Sequence, residues 1–162
     1  MKIGIVADTH SHPLPVQMLN DFKKVDMIIY AGDFCSLAVL KALKDVKEVK
    51  AVYGNMDGAD IRAVFPRSQI LKFEEILIGL FHGEGARQTI LETVKSEFAG
   101  QKVDAVIFGH SHQPLNEVID KVLYFNPGSP NDKVFAPYCS YGILEVHHKE
   151  VRGSIIKVKE GK

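Results

Sequence analysis

The chain has 162 residues, enough for one domain, and 46% of them are apolar, which excludes a disordered or low-complexity protein. Its 20 basic and 20 acidic side chains balance, so no long-range field would draw it to a nucleic acid or an anionic membrane. Two cysteines give no disulfide framework and fit a reducing compartment, and no apolar run approaches the ~18 residues of a membrane span.

The opening segment M-K-I-G-I-V-A reads as a strand and lacks the pattern of a signal peptide, so the expected location is cytoplasmic. The apolar run from Ile3 to Ala7 predicts that first strand, and it ends in D-T-H, with Asp8 and His10. Pro13 and Pro15 suit a helix start, followed by Val16, Leu19, Phe22 and Lys23 at amphipathic spacing. Met27 to Ala31 predicts a second strand that ends in G-D, with Asp33. Leu37, Leu40, Ala42 and Leu43 mark the apolar side of a second helix. Val49 to Tyr53 predicts a third strand, ending in G-N-M-D-G with Asn55. Strand–helix repeats of this length imply a parallel sheet with right-handed crossovers.

From about Ser68 the pattern changes. Gln69 to Phe73 and Ile76 to Phe81, separated by Glu74-Glu75, predict a hairpin, and the second strand ends in F-H-G with His82. Arg87 to Phe98 is the clearest helix, with Ile90, Leu91, Val94 and Phe98 on one face and Gly100 as a stop signal. Strand 103–108 ends in G-H-S-H, with His110 and His112. Strands 121–125, 141–147 and 151–158 complete the chain, the last turn falling at Arg152-Gly153 or at the charged residues before them. So many strands call for two packed sheets with helices outside, in a single domain spanning 1–162.

Seven candidate metal ligands therefore stand at the ends of five strands, where α/β folds place their sites. Taken singly, Asp8 and Asp33 read as helix N-caps and His82 as a buried, hydrogen-bonded histidine. Taken together, two carboxylates, an amide and four histidines form a mixed oxygen and nitrogen set without cysteine, which argues against a structural thiolate zinc site. Seven ligands exceed what one tetrahedral ion needs and suit two adjacent ions, an arrangement that favours in-line displacement at phosphorus.

The ordered set D-T-H, G-D, G-N, H-G and G-H-S-H resembles the calcineurin-like metallophosphoesterase superfamily. With the N-P-G-S segment at Asn126 to Ser129, it is most similar to the small bacterial and archaeal phosphodiesterase branch. The resemblance covers Asp8 to about Ser129. It implies a four-layer αββα sandwich of two packed mixed sheets flanked by helices. It also implies phosphodiester hydrolysis by a metal-bridging hydroxide, with Asp8, His10 and His112 on one ion, Asn55, His82 and His110 on the other, and Asp33 bridging. Asp33, Asn55 and His82 would be the residues nearest the chemistry. The expected cofactors are two divalent ions, manganese foremost, with nickel, iron and zinc also compatible with the ligand set. The expected substrate is a small phosphodiester rather than a nucleic acid, with homo-oligomerisation left open.

Two departures from the family pattern matter. Met56 stands where many members have a histidine after the G-N asparagine, and a thioether has no proton to donate. Glu84 stands where many have H-G-H. Asp57 is placed to orient a ligand from behind, and His12 divides between a phosphate contact and a solvated loop residue. Asp60 reads as a helix-start residue, and Cys35, near a helix start, as a packed small residue rather than a reactive thiol. Asn126 and Gly128 read as a loop beside the site, and His147 and His148 as surface or edge residues. The rival readings are a protein-interaction scaffold of the small retromer-subunit type, which expects eroded ligands, and a nuclease, which expects a basic surface.

Overall fold

A computed structural model describes residues 1–160. In chain order the elements are β1 (Lys2–Val6), α1 (Val16–Phe22), β2 (Met27–Tyr30), α2 (Leu37–Lys44), β3 (Val49–Ala51), α3 (Ala59–Arg62), β4 (Ser68–Phe73), β5 (Ile76–Phe81), α4 (Ile90–Glu97), β6 (Ala105–Ile107), β7 (Leu115–Ile119), β8 (Val122–Asn126), β9 (Ser140–His147) and β10 (Glu150–Lys157). They build two five-stranded mixed sheets, in the orders β10-β9-β1-β2-β3 and β4-β5-β6-β8-β7. β1, β2 and β3 run parallel, as do β5, β6 and β8. The flanking strands β9, β10, β4 and β7 add by antiparallel pairing.

Three apolar layers hold the sheets and helices together. Ile3, Ile5, Ile29, Ile78, Leu80, Ile107, Phe125 and Leu144 fill the space between the sheets. Phe22, Tyr30, Phe34, Leu40, Leu43 and Tyr141 pack under α1 and α2, and Val94, Phe98, Val106 and Phe108 pack under α4. Alternate residues of one strand serve different layers, since successive side chains point to opposite faces: Ile29 faces the inner layer, Ile28 and Tyr30 the outer one. The result is the expected αββα sandwich. α2 begins where the Ser36 hydroxyl accepts a hydrogen bond from the Ala38 amide at 3.1 Å, so Asp33 is free of capping duty. Neither aspartate caps a helix, because α1 starts behind Pro15.

Several local expectations shift. The helix expected over Arg87 to Phe98 opens as a 3-10 turn, Arg87–Thr89, and becomes α-helical at Ile90. Val16 and Leu37, expected on apolar faces, are exposed, while Met18 and Val39 are buried instead. The last turn falls at His148 and Lys149, with His148 in the left-handed region, and Arg152-Gly153 lies within β10. β7 escapes the sequence reading because its L-N-E-V-I is a largely exposed edge strand.

The topology brings the carboxyl ends of β1, β2 and β3 against those of β5, β6 and β8. All seven candidate ligands lie in the loops that leave these ends, with Asn126 closing β8.

Candidate metal centre

The loops that carry the ligands are sharply bent. Asp8, His10, Asp33, His110 and His112 all have φ between 46° and 68°. Side chains other than glycine rarely adopt this region, and each such residue costs on the order of 1 kcal/mol or more. The surrounding packing holds them there. Glycine is required beside two of them by close approach. A Cβ on Gly54 would strike the Asp33 carboxylate, and one on Gly109 would lie 2.8 Å from Asp8 Oδ2.

The cluster has two overlapping halves. Asp8, His10 and His112 form one group whose donor atoms can share an ion, and Asp8, Asp33 and His82 form another. Asp8 Oδ1 lies 3.7 Å from His10 Nε2, 3.5 Å from His112 Nε2 and 3.8 Å from His82 Nε2. Asp33 Oδ2 lies 3.5 Å from His10 Nε2 and 3.2 Å from His82 Nε2. Asn55 Oδ1 stands 3.1 Å from His82 Nε2 and 3.2 Å from His110 Nδ1. The seven candidate ligands marked by their motifs thus come together, and Asp33 faces both halves. Asp8 faces both as well.

Three of the four candidate histidines, His82, His110 and His112, each turn one ring nitrogen into the cluster. His82 Nδ1 donates to the Ala31 carbonyl at 2.6 Å, which turns Nε2 inward. His112 Nδ1 donates to Asp132 Oδ2 at 2.6 Å, again leaving Nε2 inward. His110 is reversed, since its Nε2 donates to the Gly85 carbonyl at 2.8 Å and Nδ1 faces Asn55. A hydrogen-bond acceptor behind each ring is the usual way a metal-binding imidazole is oriented. Asp8 Oδ1 is buried and has no hydrogen-bond partner. A carboxylate oxygen left so is costly unless a cation completes it. The donor set and this orphan oxygen fit divalent metal ions.

Charge sharing is strong. Burial favours neutral Asp8, but His82, His10 and His112 outweigh it and hold the carboxyl well below its usual range. Burial opposes a charged His82, yet Asp8 and Asp33 lift it from 6.5 to about 9. Burial would raise Asp132 too. The hydrogen bond with His112 and the Phe135 and Val134 amides instead lower it to about 2. Cys35 moves the other way. Burial and then the nearby carboxylates push its thiol to about 12, which fits a packed small residue.

The remaining sequence candidates fall outside the cluster. Asp57 does not touch a ligand side chain. Its buried carboxylate accepts from the amides of Asp33, Gly54 and Cys35 at 2.9, 2.8 and 2.8 Å and so ties the β2 and β3 loops together. Asp60 lies in the first turn of α3 and accepts from the Ile61 amide. His12 lines a separate groove, with Pro13, Asp132, Lys133 and Tyr138. Glu84 pairs with Arg67 at 3.3 Å. Met56 is 60% exposed at the rim, while its amide donates to Asp33 Oδ1 at 2.9 Å. His147 and His148 are exposed at the far hairpin.

Sequence reasoning missed Asp132, Ser129 and Tyr30. Ser129 Oγ donates to the Asp8 carbonyl at 2.8 Å, and the Tyr30 hydroxyl donates to the Asp33 carbonyl at 3.2 Å. Asn126 donates to the Gly109 carbonyl and to Ser111 Oγ, bracing the G-H-S-H loop. The N-P-G-S segment was the visible signal. Asp132 lies only three residues beyond it.

Two sheets that meet at their carboxyl edges around a carboxylate and imidazole cluster define a metallohydrolase site, and the comparisons agree. A profile of the calcineurin-like phosphoesterase superfamily domain matches residues 1–149, and the chain belongs to that family. It is accordingly a metal-dependent phosphoester hydrolase. It is 33% identical to phosphodiesterase MJ0936 of Methanocaldococcus jannaschii, over 97% of this chain and all of that one. A solved structure described as a novel archaeal phosphodiesterase superposes with a TM-score of 0.76 at 31% identity, over 96% and 100% of the two chains. Zinc-complexed Vps29 of Entamoeba histolytica superposes with a TM-score of 0.75 at 21% identity, over 97% and 99%, a likeness of fold alone. Among the described residues no helix is long and apolar enough to cross a membrane.

Proposed function

We propose that this chain, as a single domain, hydrolyses small phosphodiesters with two divalent ions. Asp8, His10 and His112 would hold one ion, Asn55, His82 and His110 the other, and Asp33 both. The observation that carries the reading is the orphaned, buried Asp8 Oδ1 facing three imidazole nitrogens. The ions, when bound, supply an acidified water as nucleophile and neutralise charge on the non-bridging oxygens.

The chain's own residues do the rest. Asp8 and Asp33 provide the negative charge that makes the site selective for cations. The carbonyls of Ala31 and Gly85 and the Asp132 carboxylate fix which imidazole nitrogen points inward. Asp57 and Tyr30 hold the backbone of Asp33 in place. No imidazole follows Asn55, so no side chain there hands a proton to the leaving oxygen. Manganese is the ion we expect foremost at this mixed oxygen and nitrogen set, and iron, nickel and zinc suit its imidazoles. The two unpaired thiols, Cys35 and Cys139, fit a cytoplasmic location. The scaffold reading expects eroded ligands, and all seven are present.

The test uses metal-stripped protein, with each ion restored separately, against diesters, monoesters and cyclic nucleotides. Restored turnover on diesters above monoesters supports the reading. Turnover that ignores metal, or favours monoesters, overturns it.

A further inference from the structure

Tyr53, Asn55, Arg62, Arg67, His82 and Glu84 line a small pocket of about 180 Å³ beside the metal centre. Asn55 and His82 belong to the ligand cluster, so a group in this pocket lies next to the reacting phosphate. The volume is below the ~300 Å³ at which drug-sized sites begin. It has room for about six waters at ~30 Å³ each. A phosphoryl group fits.

Both arginines are held in advance. The Arg62 guanidinium lies 4.6 Å from the Tyr53 ring centroid. It donates from Nε to the Asp57 carbonyl at 2.8 Å and from one Nη to the Asn55 carbonyl at 3.2 Å. A guanidinium has five N–H donors, so three remain for a ligand. The Arg67 guanidinium lies 4.6 Å from the Phe81 ring centroid. One of its terminal nitrogens donates to Glu97 at 2.8 Å, and Glu97 is itself anchored by the Ser68 hydroxyl.

The other terminal nitrogen of Arg67 faces Glu84 at 3.3 Å, and the Glu84 side chain is 62% exposed. An exposed ion pair of this kind is weak. The Glu84 carboxylate thus marks a place where an external anion can sit. A phosphomonoester carries more charge than a carboxylate and offers three acceptor oxygens, which suits two planar forks.

We propose that Arg62 and Arg67 form an anion subsite that selects phosphodiesters carrying a second phosphoryl group, with Glu84 as its displaceable occupant. The proposal rests on the phosphodiesterase reading for its substrate and stands on the pocket for its chemistry.

A matched pair of substrates tests it: thymidine 5′-(4-nitrophenyl phosphate) with and without a 3′-phosphate. The wild type should favour the 3′-phosphorylated substrate in kcat/KM by about tenfold. Arg67→Met should bring that ratio close to one, and Glu84→Gln at an exposed position should raise it. A ratio that is the same in all three proteins, or a wild type without preference, overturns the subsite. Calorimetry with manganese-loaded protein reads the subsite without turnover, using thymidine 3′,5′-bisphosphate against thymidine 5′-phosphate. Failure to cleave either diester would sink the phosphodiesterase reading alone. Equal affinity for the two nucleotides would sink the subsite.

Discussion

The two sheets contribute different chemistry to one site. The first supplies both carboxylates and the amide, Asp8, Asp33 and Asn55, and a single imidazole, His10. The second supplies only imidazoles, His82, His110 and His112. Neither half is a metal site alone. The first would concentrate unbalanced negative charge, and the second would lack it. The close approaches of Asp33 to His82 and of Asp8 to His112 exist only because the sheets pack. Metal binding is therefore linked to the inter-sheet core, and affinity becomes folding stability.

The largest expected effect comes from breaking that junction at its carboxylate. Asp33→Asn keeps the shape and removes the charge facing both halves. Turnover should fall by more than the ~10–100-fold typical of residues behind a metal ligand, and both ions should be weakened in a metal titration. Wild-type activity with two bound ions would show that Asp33 does not join the halves.

Asp132→Asn should act next, and on one side only. It touches His112 but none of Asn55, His82 and His110, the candidate ligands of the other ion. Affinity of the first ion should drop by about 10–100-fold, with the second ion little changed. A cobalt titration followed by visible absorbance would report this, since only one phase of the titration should move to higher cobalt. Equal weakening of both ions would show that Asp132 supports the loop as a whole rather than His112.

The contrast between the sheets also explains what the sequence revealed. The parallel strands of the first half are legible because β1 and β2 are almost wholly buried apolar runs and β3 breaks the pattern only at Lys50, and the candidate ligands follow them directly. The motif order then pointed to the seven candidate ligands that the fold brings together. β7 was not legible, because an exposed edge strand alternates weakly. The supporting groups were hidden for a different reason. Asp132 reaches His112 across 20 residues of sequence, and nothing local marks Tyr30 as a tyrosine whose hydroxyl reaches a backbone carbonyl. Asp57 was visible as a second layer of support, but its partners, three amides, depend on how two loops fold.

A smaller effect is expected with pH. In the metal-free protein the folded pKa of His82 is raised from 6.5 to about 9. Protonated His82 thus adds stability that is fully present below 6.5 and is lost as pH rises through 9. Asp8 is depressed, so its contribution is present above its ordinary value and is lost only as acid is added. A metal ion must displace the His82 proton, which is harder at pH 6.5 than at 9. The rise in Tm on adding manganese should therefore grow across this range, as read by differential scanning fluorimetry. A pH-independent rise would mean that His82 is already neutral.

The last expected effect is confined to substrates with poor leaving groups and concerns Met56, which sits on the rim of the first-sheet side. A placed proton donor typically contributes about 10²–10⁴-fold, and a thioether supplies none. Substrates with poor leaving groups bear that loss fully. Activated aryl diesters leave as phenolates and bear little of it. Wild-type rates across a series of substituted aryl phosphodiesters should then depend steeply on leaving-group pKa. Met56→His places an imidazole at an exposed position, where the change itself disturbs no packing. It should flatten the slope by accelerating the poorest leaving groups, while the best change least. The Met56 amide still donates to Asp33 Oδ1 in the variant, so the metal ligands are undisturbed. A shallow slope in the wild type would show that another acid already protonates the leaving oxygen, and Glu84→Gln would be the first variant to steepen it.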